Sequence, residues 1–185
     1  MGFLRSVKNK LNSVLATRDI NKYARSLGVT VGNNVRFISV PDFGSEPWLI
    51  SIGNDVLITG KVTFLTHDGS IHTIRNFSKT PHLCKFGRIE INDRSFIGKN
   101  STIMPNVRIG SDCIIATNSV VTKDIPDGMV AGGCPAKIIC SVEELAEKWE
   151  NNMADYVPLN GEKNFRIWTT HVVDYYWNKK EQQNK

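Results

Sequence analysis

From Ile91 onward an aliphatic side chain returns at every sixth residue, at Ile91, Ile97, Ile103, Ile109, Ile115 and Val121. Ile and Val together fill 34 of the 185 positions, so six in register by accident has odds on the order of 4 in 100,000 per starting point, and a repeat is the better account. A second bias rides on the first. Gly or Ala follows the aliphatic residue at Gly98, Gly110 and Ala116, and the fifth place holds Ser95, Ser101, Val107, Cys113, Ser119 and Ile125, most of them small. Upstream the same frame reads Val31-Gly32-Asn33-Asn34-Val35-Arg36, then Ile52-Gly53-Asn54-Asp55-Val56-Leu57, then Ile58-Thr59-Gly60-Lys61-Val62-Thr63.

Six residues match neither the 3.6 period of a helix nor the 2.0 period of a half-wet strand. They fit short flat strands joined by tight corners, with the aliphatic residue pointing inward, the small fifth residue beside it, and Gly or Asn at the strained corner. Three hexads then close one triangular coil, and each coil hydrogen-bonds to the next. A β-sandwich is the rival, but its turn signals fall every 8–12 residues. The expected fold is therefore all-β: a parallel β-helix over residues 29–140.

The frame breaks between Thr66 and Ile89, where Gly69, Pro81, Gly87 and many polar residues read as one long loop, 66–88, thrown out from the coils. The ends differ in kind. Leu4, Val7, Leu11, Val14 and Leu15 space an amphipathic helix within an N-terminal segment, 1–28, suited to capping an open coil edge. After residue 140, Ser141 and Glu144 have capping-box spacing before Leu145-Ala146-Glu147-Lys148-Trp149, and an aromatic tail with Trp168, Tyr175, Tyr176 and Trp177 completes a helical extension, 141–185. That tail is expected to pack on the coil or on a neighbouring subunit.

Composition narrows the function. A formal charge of +5 is spread along the chain without interleaved aromatics, which argues against nucleic acid and suits a small anionic ligand. No apolar run reaches membrane-span length and the first residues lack a signal-peptide pattern, so the expectation is a cytoplasmic protein with at most peripheral membrane association. Cys84, Cys113, Cys134 and Cys140 show no C-x-x-C spacing and read as free thiols, with neither disulfide nor zinc.

The hexads, the segment Phe64-Leu65-Thr66-His67-Asp68-Gly69, the run Val120-Val121-Thr122-Lys123-Asp124-Ile125-Pro126 and the run Gly133-Cys134-Pro135-Ala136-Lys137 together resemble the hexapeptide acetyltransferases of the maltose and galactoside O-acetyltransferase group. Within that group the chain looks most similar to enzymes of capsule and lipopolysaccharide synthesis. The resemblance spans about Val29 to Ile139 and implies a left-handed coil, acetyl-CoA as co-substrate, no metal, a homotrimer with active sites between subunits, and acetyl transfer to a sugar hydroxyl. His67 matches the family's catalytic histidine.

Acetyl transfer needs a base, because an alcohol is a weak nucleophile until its proton is removed, and a neutral imidazole supplies one at working pH. His72, in the same loop, is the rival base, whereas His82 and His171 have little support. Asp68 is a weaker candidate for orienting the imidazole as a triad carboxylate does. Cys84 as an acyl-accepting nucleophile lacks a supporting Cys-His spacing.

Lys99 and Thr117, eighteen residues apart, stack one coil above the other and present backbone amides to a donor arm. By resemblance Thr122, Lys123 and Lys137 also contact coenzyme A, with the two lysines on its phosphates. Cys140 stands where the family often has a further basic residue. Alternatives to sugar O-acetylation are N-acetylation of an amino sugar, transfer to a drug hydroxyl or other small molecule, and a non-catalytic β-helix scaffold.

Overall fold

A computed structural model describes residues 19–80, 82–153, 161 and 163–183. The chain forms two compact units, residues 1–145 and 146–185. Most of the predicted N-terminal helix, residues 1–18, lies outside the described residues.

The first unit is a three-sided stack of parallel strands. One face carries β1 (Thr30–Val31), β3 (Ile50–Ile52), β6 (Ile89–Ile91) and β9 (Val107–Ile109). The second carries β2 (Arg36–Phe37), β4 (Leu57–Ile58), β7 (Phe96–Ile97), β10 (Ile114–Ile115) and β12 (Met129–Gly133), with β13 (Ala136–Ser141) at its end. The third is β5 (Thr63–Phe64), β8 (Thr102–Ile103) and β11 (Val120–Val121). After the long loop the coil advances 18 residues, as in Ile91 over Ile109 and Val121 over Ile103.

Why hexads make these coils is visible position by position. Ile97, Ile103, Ile109, Ile115 and Val121 are fully buried and form the axis of the core. The second position lies where coils nearly touch: a side chain at Gly98 would stand 2.5 Å from the Ile115 carbonyl oxygen and 2.6 Å from the Thr117 nitrogen. The fourth position takes the left-handed corner, at Asn34, Asp55, Lys61, Arg94, Asn100, Asn106, Asp112 and Asn118, all with φ between 54° and 62°. Asn and Asp tolerate that region best among residues with a Cβ, which explains their recurrence. Their side chains also bond along the stack, Asn100 Nδ2 donating to Asn118 Oδ1 at 2.6 Å and Arg94 forking onto Asp112 at 2.7 Å twice. The small fifth residue returns its hydroxyl to the corner backbone: Ser95 Oγ donates to the Gly110 carbonyl and Ser119 Oγ to that of Ala116.

Both open ends of the stack are covered, as edge strands require. At the start α1 (Ile20–Leu27) is capped by Asp19 and closed by Gly28 at φ 101°, and from it Arg25 and Asn21 donate to the carbonyls of Val31, Gly32 and Val35. At the far end β13 turns back antiparallel on β12 rather than continuing the coil, a hairpin that the hexad frame does not foretell. Ser141 and Glu144 then form the capping box, each side chain bonding the other's backbone N–H, at the start of α3 (Val142–Met153), which crosses into the second unit.

In that second unit, α4 (Phe165–Gln183) is held to the end of α3 by Tyr175 Oη and Lys179 Nζ, both donating to the Asn152 carbonyl. Phe165, Trp168, Tyr176 and Trp177 are exposed in the single chain. Among the described residues no helix is long and apolar enough to cross a membrane.

Because Ile103 is fully buried between coils, Ile103→Ala is expected to destabilise the first unit by about 2–5 kcal/mol, from lost transfer energy plus a cavity. Guanidinium unfolding followed by circular dichroism measures this as a lowered midpoint at unchanged slope.

Candidate active site

The repeat is interrupted twice, and both interruptions leave the same edge of the coil. The first coil advances 21 residues, Thr30 to Ser51, and the second 39, Ile50 to Ile89, where the uninterrupted coil after the loop advances 18. The first surplus lies between Asp42, which bridges Thr63, and β3, so it enlarges the corner between the third and first faces. On the next coil the same corner opens into the long loop, between β5 and β6. Glu46 stands in the first interruption and His67 at the root of the second.

Packing fixes both. Phe43 stacks on Phe64 with ring centroids 5.8 Å apart, and Gly44, at φ 64°, lies so close to the Phe64 carbonyl that a side chain there would stand 2.9 Å from it. The loop is tied at its base, where the Gly87 N–H donates to Thr66 O at 2.8 Å, Asp68 N–H to Lys85 O at 3.0 Å, and His67 bridges Phe86 antiparallel. Gly87 is required there, because any Cβ would run into the Asn106 nitrogen and Pro105 of the coil above.

The central contact is between Glu46 and His67. One carboxylate oxygen, Glu46 Oε2, lies 2.9 Å from His67 Nδ1 and accepts the Thr66 hydroxyl at 2.6 Å. The Thr66 hydroxyl, and after it the imidazole, hold the Glu46 carboxyl below the ordinary carboxylate range, so it is ionised and can only accept. Nδ1 must then carry the proton. Neutral His67 is left with its lone pair on Nε2, and the half-exposed ring presents a base to solvent.

Asp68 does not fill the orienting role considered for it. Its carboxylate accepts Lys85 Nζ at 2.8 Å and the Ser70 N–H at 3.0 Å, and these contacts, Lys85 foremost, hold it well below the usual carboxylate range. It pins the outgoing arm of the loop to the returning one. Glu46, 21 residues before His67, is the carboxylate in contact with the imidazole instead. The residue interval that exposes it is the three-residue excess of the first coil.

His67, Asp68, His72, Arg75, Lys85 and Phe86 line a cleft of about 190 Å³. His72 sits on α2 (Ile71–Ile74), exposed, and forms no ion pair among the described residues. The predicted donor-binding residues fall in two places. Lys99 and Thr117 stack at the corner between the second and third faces, with Asn118 N–H donating to Lys99 O at 2.9 Å. Gly132–Gly133 lies one coil further at that corner, and Lys137 pairs with Gly132 across the hairpin. Thr122 and Lys123 follow β11 at the other corner, the one that carries the loop. All five are exposed. Within one chain the third face therefore separates Lys99, Thr117 and Lys137 from His67.

Comparison with known proteins agrees with this architecture. Residues 88–123 match the family model described as bacterial transferase hexapeptide (six repeats). Protein CapG of Staphylococcus aureus is 51% identical over 134 residues, 71% of this chain and 76% of that protein. The galactoside O-acetyltransferase of Escherichia coli K12 is 32% identical over 99 residues, 54% of this chain and 47% of that enzyme. Among solved structures, a hexapeptide-repeat acetyltransferase of Vibrio cholerae O1 biovar eltor, complexed with acetyl coenzyme A, superposes with a TM-score of 0.51 at 26% identity, covering 76% of this chain and 87% of that one.

The Asp68 tie predicts how the loop responds to acid. A carboxylate whose folded-state pKa is depressed lends stability above its unfolded pKa and loses it as pH falls through the folded value. Asp68→Asn should therefore speed proteolytic nicking within residues 69–84 at neutral pH. The wild-type loop should reach that nicking rate only in strong acid, a comparison that an acid-active protease and mass spectrometry make directly.

Proposed function

This chain belongs to the bacterial hexapeptide-repeat transferases, built on the left-handed parallel β-helix, and from that premise we propose that it moves an acetyl group from acetyl-CoA to a sugar hydroxyl with His67 as general base. It is an acyltransferase. The observation that carries the finer reading is the Glu46–His67 contact. An ionised carboxylate on Nδ1 fixes the tautomer that leaves Nε2 free to take a proton, and it stabilises the imidazolium once formed.

The step balances within the site. As the acceptor oxygen attacks the thioester carbonyl carbon, His67 Nε2 takes the hydroxyl proton. The new C–O bond forms, the C–S bond breaks, and the imidazolium returns the proton to the departing thiolate. Glu46 stays ionised throughout, because its charge is what holds the imidazolium. A serine-type covalent relay is not needed, and the exposed Cys84 thiol bonds Arg75 rather than a histidine.

The residues fit coenzyme A by the chemistry of the donor set. Lys99, Lys123 and Lys137 are exposed cations with no carboxylate at ion-pair distance among the described residues, which leaves their charge for phosphates. Gly98 and Gly132 let the neighbouring coils close tightly on Ala116 and Thr117 at that corner.

The split of these residues across the third face favours a trimer, in which His67 of one subunit meets coenzyme A held by Lys99, Thr117 and Lys137 of the next. A sugar acceptor is favoured by the likeness to galactoside O-acetyltransferase.

Following thiol release from acetyl-CoA against a panel of sugars tests this reading. His67→Ala should lose about 10²–10⁴ in kcat. Glu46→Gln should lose about 10²-fold in kcat with little change in KM, because the base is then held in the wrong tautomer for part of the time. His72→Ala should keep full activity, and full activity in His67→Ala would refute the assignment of the base. Sedimentation equilibrium should give three times the 20.7 kDa chain mass, and a monomer of undiminished activity would overturn the shared site.

A further inference from the structure

Charge in the loop cleft is nearly all matched. Glu46 answers the His67 imidazole and Asp68 answers Lys85 at 2.8 Å. Arg75 is the exception. It caps the C-terminal end of α2 and lines the same cleft, yet no carboxylate lies at ion-pair distance from it among the described residues.

Its bonds aim it rather than neutralise it. Nε donates to the Leu83 carbonyl at 2.9 Å and one terminal nitrogen reaches Cys84 Sγ at 3.6 Å, so the head is gripped by the returning arm of the loop while its stem rises from the outgoing arm. A guanidinium carries five N–H donors in a rigid planar fork, and these contacts engage two nitrogens, leaving donors unspent. A neutral acceptor would have no need of such a group. A planar fork with free donors matches two oxygens of one anion, and an Arg–oxyanion pair is both shorter and stronger than a neutral hydrogen bond.

We propose that Arg75 reads an anionic group, a carboxylate or a phosphate, carried by the sugar acceptor beside the hydroxyl that His67 deprotonates. The proposal rests on the acetyl-transfer reading above and narrows it, by placing the acceptor among uronic acids or phosphate-bearing sugars. Phe86, with its ring 5.9 Å from the imidazole and half exposed, supplies the apolar wall against which the sugar ring lies between the two polar anchors. Lys85 cannot replace Arg75 in this role without giving up Asp68 and so loosening the loop.

The test uses the full-length protein saturated with coenzyme A, so that the lysines of the donor groove are already occupied by phosphate. D-glucuronate, α-D-glucose 1-phosphate and D-glucose are titrated separately and binding is followed by ligand-observed NMR. At least one of the two anions should bind about tenfold or more tightly than glucose, as charge-assisted hydrogen bonding to a fork requires. Which of them does so tells carboxylate from phosphate. In Arg75→Gln, which keeps a donor for the Leu83 carbonyl, that preference should fall to near unity while coenzyme A affinity and thermal midpoint hold. Arg75→Lys should retain part of it, through charge without the fork. No preference in the wild type, or a preference that survives Arg75→Gln, overturns the proposal. Failure of the protein to bind coenzyme A at all would instead strike the acetyl-transfer reading, so the two failures are separable.

Discussion

Everything in the first unit depends on how closely one coil lies on the next. Parallel strands stack about 4.8 Å apart, and at the corners the backbones approach closely enough that a Cβ on Gly98 would meet the Ile115 carbonyl at 2.5 Å. That spacing dictates the hexad. It favours Gly or Ala beside the aliphatic residue wherever the corners approach most closely, as at Gly53, Gly98 and Gly110, sets a left-handed turn at the fourth position, and leaves room for a hydroxyl, not a larger polar group, at the fifth. The aliphatic ladder supplies the burial that offsets ordering so many corners, and the Ser95, Ser101 and Ser119 hydroxyls satisfy corner carbonyls that water cannot reach.

The same rigidity explains where chemistry can sit. A coil position has no freedom to carry an aimed side chain inward, so reactive groups must leave the stack, and they do so at one corner. Because the enlarged turn with Glu46 and the long loop with His67 depart from adjacent coils at that corner, their side chains meet although 21 residues separate them. Phe43 on Phe64 carries the stiffness of the core into that pair. A side-chain contact placed on two inserted segments is thus held nearly as firmly as one placed on strands.

The fold was almost wholly legible in the sequence, since six-residue spacing at Ile91 through Val121 reports a geometric constraint that each coil must satisfy separately. The hairpin of β13 was not, because it forms where the repeat has ended and only local turn chemistry at Gly133 to Pro135 marks it. His67 was singled out by its motif at the break that opens the long loop, and its imidazole lies against Glu46. Its partner was misplaced: adjacency in sequence suggested Asp68, but neighbouring side chains on an extended arm diverge, and Asp68 turns to Lys85 across the loop. Glu46 could have been found by laying the coils in register and noticing that the first is three residues longer at the corner where His67 emerges. Arg75 could not, because its significance lies in lacking a carboxylate, and pairing across a loop has no periodic trace.

A division of labour follows from these constraints. The donor groove proposed above draws on corner positions of the repeat, Gly98-Lys99, Ala116-Thr117 and Gly132-Gly133, whose geometry the coil stacking already fixes, so it can vary little without unmaking the fold. The cleft proposed for the acceptor is built from inserted segments that the stacking does not constrain, and its residues are free to change while His67 and Glu46 stay anchored at the corner. Substrate choice in such a molecule therefore resides in the length and charge of what is inserted. In this chain the insert, residues 66–88, carries Arg75, Lys79, Lys85 and Arg88 against the single carboxylate of Asp68, and in the reading proposed above that cationic excess, not the hexad, selects the acceptor.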